Sequence, residues 1–240
     1  MIIRPLRTHW DRFSDLLIHA DERGVKTHPD YPAAKAGDVD AALQLIRDSL
    51  NPALLHPLSQ MGQGTKPVLI SVHAEEETGR NAIPEVLADA LAVRLDWELE
   101  SSVVQANVVN HTGADGFSRL ARQAVFAGSI EPGRDYVIVD DFVGQGGTIA
   151  NLRGHICHQG GRVLGATVLT GKTYSAILVL SSKRLQELRA KHGNLETWWK
   201  EQFGFGFDWL TESEARYLIR TQNADTIRNR IAAAAQTVGG

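Results

Sequence analysis

Residues 136–150 read YVIVDDFVGQGGTIA, and no other stretch limits the fold of this chain as tightly. Tyr136, Val137, Ile138 and Val139 form a short apolar run suited to a buried strand. Ile149, Leu152 and Ile156 then recur at helical spacing and end at Gly160 and Gly161. Between them stand two adjacent aspartates and a glycine-rich loop closed by Thr148. The segment is strand, loop, helix. At the carboxyl end of a parallel strand, the backbone N–H groups of residues 144–148 converge on an anion, aided by the helix dipole, with the two carboxylates alongside. Phosphate together with a polyol or a metal ion matches that arrangement.

Around this segment, apolar strands and amphipathic helices alternate. Strands are expected over residues 68–72, 103–109, 136–139, 163–169 and 176–180. One helix carries Ile83, Leu87, Leu91 and Leu95 on one face with Pro84 in its first turn, and a second covers residues 117–127. The fold class is therefore α/β: a doubly wound, mostly parallel sheet covered on both faces, with ligands bound at its carboxyl edge. Residues 61–180 make this core. Residues 1–60 form an N-terminal helical appendage, interrupted by Pro29 and Pro32 before Asp38 caps a helix bearing Ala42, Leu45, Ile46 and Leu50. Residues 181–240 form a C-terminal helical, aromatic-rich extension. It holds a helix after Ser181, the stretch WWKEQFGFGFDWL, and a helix begun by the capping box from Thr211 to Glu214. Aromatics at that density are read as the packing of a small subdomain or an interface rather than as a stacking platform.

Composition excludes several classes. With 240 residues, 43% hydrophobic residues and a net charge of −3, the chain has material for a substantial core and no global nucleic-acid footprint. Nucleic acid as a partner is disfavoured but stays open, because a local basic face is compatible with that balance. A single cysteine, Cys157, rules out an internal disulfide framework and is read as a packing residue. No apolar run reaches membrane-spanning length and the amino terminus lacks a signal-peptide core, so a cytoplasmic protein without a membrane partner is expected.

The run YVIVDDFVGQGGT closely resembles the signature of the type I phosphoribosyltransferases, an apolar strand ending in two acids before a Thr/Gly-rich loop. The resemblance implies that family's fold, 5-phosphoribosyl-1-pyrophosphate (PRPP) as donor, Mg²⁺ as cofactor, a hood over the acceptor base, and a homo-oligomer. Carried over residue by residue, Asp140 and Asp141 would bind the ribose hydroxyls as catalytic residues, and Gly144, Gln145, Gly146, Gly147 and Thr148 would hold the 5′-phosphate. Two departures stand out. Gly144, Gln145 and Gly146 replace a usual Thr-Thr-Gly or Ala-Thr-Gly run, removing hydroxyl donors but keeping the backbone ones, and Phe142 replaces a smaller aliphatic residue. In the 6-oxopurine enzymes of the family the first loop position is commonly an aspartate. Gly144 has no titratable group, so hypoxanthine and guanine are expected to be poor acceptors.

Two further loops carry expectations. HAEEETGRNAIPEVLADAL matches the place of the family's pyrophosphate loop, and Gly79, Arg80 and Asn81 offer backbone and guanidinium donors. Glu75, Glu76 and Glu77 either face solvent, hold Mg²⁺ or approach an amine; a short charge run favours solvent. NHTGADGFSRLARQ matches a flap, with His111, Arg119 and Arg122 as candidates beside the reaction centre, or as ordinary turn and helix-surface residues. The leading reading is transfer of a phosphoribosyl group to a nitrogen acceptor such as a nucleobase. The alternative is a PRPP- or nucleotide-binding regulator, or a defence- or competence-associated accessory protein, with little or no catalysis.

Overall fold

A computed structural model of the protein describes residues 4–11, 13–72, 75–76, 79–107 and 115–236. In chain order the strands are β1 (Leu17–Ala20), β2 (Val68–Ser71), β3 (Glu75–Glu76), β4 (Gly79–Arg80), β5 (Leu99–Glu100), β6 (Val104–Gln105), β7 (Phe126–Ala127), β8 (Asp135–Val143) and β9 (Arg162–Gly171). The helices are α1 (Glu22–Lys26), α2 (Tyr31–Lys35), α3 (Val39–Ser49), α4 (Leu55–Met61), α5 (Ile83–Leu95), α6 (Gly116–Ala121), α7 (Gly147–His158), α8 (Ser182–His192), α9 (Glu196–Phe203), α10 (Glu212–Arg220) and α11 (Ala224–Gln236). Five strands make one parallel sheet in the order β1-β9-β8-β2-β5, and β3-β4 and β6-β7 are separate antiparallel pairs.

The sheet is covered on both faces, as expected from the continuous apolar strands. Alternation along the strands divides the core. Val68, Ile70, Tyr136, Ile138, Ala166 and Val168 pack with Ile149, Leu152 and Ile156 of α7 and with Trp10 and Phe13 of the N-terminal segment. Leu69, Val137, Val139 and Leu169 face the other way, against Leu45 and Ile46 of α3, Leu58 of α4, and Ile83, Leu87 and Leu91 of α5. A third apolar cluster joins α6 to the C-terminal helices. There Trp199, Phe203, Phe205 and Phe207 are buried on one another, with Trp199 and Phe203 ring centroids 4.4 Å apart, so these aromatics are packing groups.

Four sequence expectations need correction. The N-terminal sixty residues contribute β1 to the sheet, where Leu17 and Ile18 pair with Thr167 and Val168. Residues 176–180 are not a strand. A 3-10 turn at Thr173–Ser175 redirects the chain, and Leu178 buries itself while its carbonyl accepts from Glu212 N at 3.1 Å. The strand expected over 103–109 is, within the described residues, the short β6, paired with β7 outside the main sheet; β5 is the edge strand instead. The helix expected over 117–127 stops at Ala121. Arg122 leaves the helical region at φ −109°, ψ 82°, and the chain turns back to form β7.

Local signals account for many element ends. Asp38 accepts from Ala41 N, Ser181 accepts from Arg184 N, and Thr211 and Glu214 form a full capping box. Among the described residues no helix is long and apolar enough to cross a membrane.

Candidate functional site

The site grows from the end of β8. The strand continues through both aspartates to Val143 because β9 supplies a ladder partner that far, with Asp140 opposite Val168 and Phe142 opposite Thr170. The chain then bends at residues 144–146, and Gly146 takes a left-handed conformation (φ 82°) as the N-cap of α7. A side chain there would be strained and would also collide with Leu178.

The loop's carbonyls are already engaged. Val143 O accepts from Lys172 N at 3.0 Å, Gly144 O from Ser175 Oγ at 2.6 Å and Gln145 O from Thr211 Oγ1 at 2.6 Å. Because C=O and N–H of a trans peptide point in opposite directions, the N–H groups of Gln145 and Gly146 are turned away from those partners. Gly146 offers no side-chain cap, so the first-turn N–H groups of the twelve-residue α7 lack that partner and carry the positive end of its dipole.

Next to the loop lies the acid pair. Asp140 is buried, and its Oδ1 accepts from Asp141 N at 2.8 Å. Burial, and then the charge of Asp141, push the Asp140 carboxyl well above the usual carboxylate range. Burial also opposes the charge of Asp141. Lys35 Nζ at 3.1 Å and Asn81 Nδ2 at 3.0 Å, both on Oδ2, outweigh it and hold Asp141 below its ordinary value. The pair is therefore asymmetric, one acid inclined to keep its proton and its neighbour ionised. Such a pair can both donate to and accept from two adjacent hydroxyls.

Loop and acids open into one cleft of about 380 Å³. Lys26, whose ammonium lies 4.4 Å from the Phe142 ring centroid, Lys35 and Arg119 bring positive charge to it. The Arg119 guanidinium occupies the space that a side chain on Gly144 would need, and its buried Nε has no hydrogen-bond partner among the described residues. At the back, Arg7 makes a bidentate pair with Glu214 (2.7 and 2.8 Å). It also bonds Asn151 Oδ1 of α7 at 2.6 Å and Gln123 Oε1 at 3.1 Å. This buried network ties the N-terminal segment and α10 to the helix that carries the loop.

The structure brings Asp140, Asp141, Asn81, Arg119 and residues 144–148 to the same cleft. Arg80, expected beside pyrophosphate, is exposed and its Nη2 lies 2.9 Å from Glu85 Oε2. Gly79 is in β4, opposite Glu76, as Arg80 is opposite Glu75. Arg122 does not line the cleft. His111 and Glu77 lie outside the described residues. Lys26, Lys35, Gln123 and Glu214 line the cleft without having been singled out from sequence. The lysines lie on two five-residue helices of the polar N-terminal segment, and no spacing rule links either to residue 141. Glu214 is visible only as a capping-box residue. Among the described residues no group of three or more His, Cys, Asp and Glu side chains is placed to hold a metal ion.

No family model matches the chain. It is 39% identical to Protein TraN of Escherichia coli over 232 residues, which is 96% of this chain and 52% of that protein. It is 37% identical to an uncharacterized protein of Haemophilus influenzae over 154 residues, 64% of this chain and 34% of that protein. The chain thus spans about half the length, or less, of the curated relatives it matches. Among solved structures, an adenine phosphoribosyltransferase from Thermoanaerobacter pseudethanolicus aligns over 57% of this chain and 76% of its own, at 18% identity and a TM-score of 0.37.

Proposed function

We propose that the cleft binds PRPP and that the protein transfers its phosphoribosyl group to a nitrogen acceptor, releasing pyrophosphate. One observation carries this reading: a buried, asymmetric acid pair and an uncapped glycine loop at a helix N-terminus open into a single cleft. That is the donor set a ribose 5-phosphate needs, and the resemblance of YVIVDDFVGQGGT to the type I phosphoribosyltransferase signature points the same way. Residues 144–148 hold the 5′-phosphate. Asp140 and Asp141 bind the ribose hydroxyls, and the charge on Asp141 favours the positive charge that develops at C1′.

In the transfer, the C1′–O bond breaks and its electron pair leaves on pyrophosphate. The acceptor nitrogen forms the new C1′–N bond and gives up its proton to pyrophosphate or water. Mg²⁺ fits as an ion carried on the donor's own oxygens, because such ions are commonly held by one or two carboxylates together with substrate phosphates. Of the two acids, the ionised Asp141 would be the one placed to add to that set, and the ion would neutralise charge on the leaving group. Asn81 and Arg119 supply donors to the pyrophosphate side of the cleft. The resemblance further implies at least a homodimer in solution, which light scattering reads directly.

A second reading, binding without turnover in a regulatory or accessory protein, is favoured by two features. Asp141 is already engaged by Lys35 and Asn81, and the loop lacks the hydroxyl donors of a Thr-Thr run. A screen of nucleobases with PRPP and Mg²⁺, following pyrophosphate, separates the two. Pyrophosphate release that depends on both the base and Asp141 supports transfer, and saturable PRPP binding without release supports the second reading.

A further inference from the structure

A second cavity of about 220 Å³ adjoins the first, and Arg119, Gly144 and Gln145 line both. Asp140 and Asp141 line only the first. The remaining wall of the second is one face of α10, where Ser213, Arg216 and Arg220 fall at i, i+3 and i+7, together with Lys172 and Tyr174 just after β9. Its charge is one-sided: four of these side chains are basic, and no aspartate or glutamate lines the space. Lys172 is paired with Glu22 at 2.5 Å. Among the described residues, no carboxylate lies within ion-pair distance of Arg119, Arg216 or Arg220.

Arg119 also keeps a buried Nε without a hydrogen-bond partner among the described residues. A buried donor left unpaired costs stability, and three guanidinium groups without counter-charges around one small space repel one another. A phosphate group answers both conditions, because its oxygens match the guanidinium fork and it carries about −1.5 to −2 charge at neutral pH.

Arg216 connects this space to the phosphate loop. Its guanidinium lies 4.2 Å from the Tyr174 ring centroid, and its Nη2 donates to Ser213 Oγ at 2.5 Å. The Ser213 hydroxyl is thereby left to donate to Ser175 Oγ at 2.8 Å, and Ser175 Oγ donates to Gly144 O at 2.6 Å. All three bonds run toward the loop, and hydrogen bonds in series polarise one another. Gly144 O shares its peptide unit with the Gln145 N–H, one of the donors assigned above to the 5′-phosphate. An anion on Arg216 withdraws positive charge from the head of that chain. One on Arg119 engages a group that also faces the PRPP cleft.

We propose that the second cavity is a regulatory site for a phosphate group, free or carried on a small aromatic molecule, and that its occupation weakens PRPP binding in the first cleft. The phosphate meets Arg216 and Arg220 with Arg119 behind it, and an attached ring lies on Tyr174, which is 57% exposed. The antagonism rests on the PRPP reading of the first cleft; the anion site does not.

The test is calorimetry on the full chain, first with inorganic phosphate or phenyl phosphate alone, then with PRPP and Mg²⁺ at increasing fixed concentrations of each anion. R216Q/R220Q weakens anion binding by about tenfold or more. Tighter binding of phenyl phosphate than of inorganic phosphate assigns the site to a phosphate carried on a ring, and equal binding assigns it to the free ion. In the parent, saturating anion lowers PRPP affinity by about three- to tenfold and the effect then levels off, as for two like charges near a protein surface. In R216Q/R220Q the same anion concentrations leave PRPP affinity unchanged, and without anion the double variant binds PRPP within about threefold of the parent, because neither residue lines the first cleft. R220Q alone, at an exposed position, gives a partial loss of anion binding and guards against misfolding of the double variant. Anion affinity unchanged in the variants, or competition with PRPP that rises without a plateau and persists in R216Q/R220Q, overturns the proposal by placing the anion in the first cleft. So does binding confined to a single-stranded oligonucleotide that neither small anion displaces. Anion binding that needs Arg216 and Arg220 in a chain that binds no PRPP would overturn the donor-site reading and the antagonism together, leaving an anion site.

Discussion

Lys35 Nζ lies 3.1 Å from Asp141 Oδ2, so the last residue of α2 neutralises the second acid of a motif 106 positions away. Both side chains are largely shielded from water, which strengthens the pair relative to an exposed one. Replacing Asp141 by Asn removes the negative charge that ribose and Mg²⁺ are proposed to meet. PRPP affinity falls by about 1.5–3 kcal/mol in calorimetry. Thr148→Ala, at the phosphate end, costs about 0.5–1.5 kcal/mol. Unchanged affinity in both variants would remove these residues from the donor site.

Asp140 makes the protein's stability depend on pH. Its folded-state pKa is raised by burial and by Asp141, so the stability its protonated form contributes is complete below the unfolded pKa and is lost as pH rises through the folded one. Asp141 works in the opposite sense: held low by Lys35 against burial, its contribution is present above its unfolded pKa and lost as pH falls through the folded one. Asp140→Asn fixes the neutral state. Its Tm relative to the parent therefore rises from about pH 4 upward and levels off once pH has passed the folded-state pKa of Asp140. A difference that is flat with pH contradicts the assignment.

The Arg7–Glu214 pair is buried and bidentate, and removing one partner strands the other. Arg7→Met lowers unfolding free energy by about 3–5 kcal/mol in urea titrations, and Arg7→Met with Glu214→Leu recovers a large part of it. Losses that simply add would show that the two charges do not stabilise one another.

Arg119 fills the space beside Gly144, and Gly144 itself brings no acid or base. With general acid–base help of that kind absent, kcat/KM for hypoxanthine and guanine falls about 10²–10⁴ below that of the best acceptor among adenine, uracil and orotate. Efficient use of either 6-oxopurine would mean that another group supplies the proton transfer.

How much of this was legible in the sequence depended on the range of the interactions involved. The helix carrying Ile149, Leu152 and Ile156, the cap at Asp38, the capping box at Thr211 and a helix after Ser181 follow from local chemistry and are found as read. Strand β8 runs four residues past Val139, through two aspartates of low strand propensity, because β9 pairs with it there. β1 is four residues long and exists through pairing with Thr167 and Val168, about 150 positions on, which no local pattern encodes. The site divides the same way. Asp140, Asp141 and the glycine loop are contiguous and announce themselves, whereas Lys26, Lys35 and Glu214 reach the cleft only through tertiary packing.

The central claim is that residues 140–148 form a PRPP site. Titration of the full chain with PRPP and Mg²⁺ in a calorimeter tests it most directly. Saturable binding is expected, weakened by about tenfold or more in Asp141→Asn. No binding by the parent protein, or binding that Asp141→Asn leaves unchanged, would contradict it.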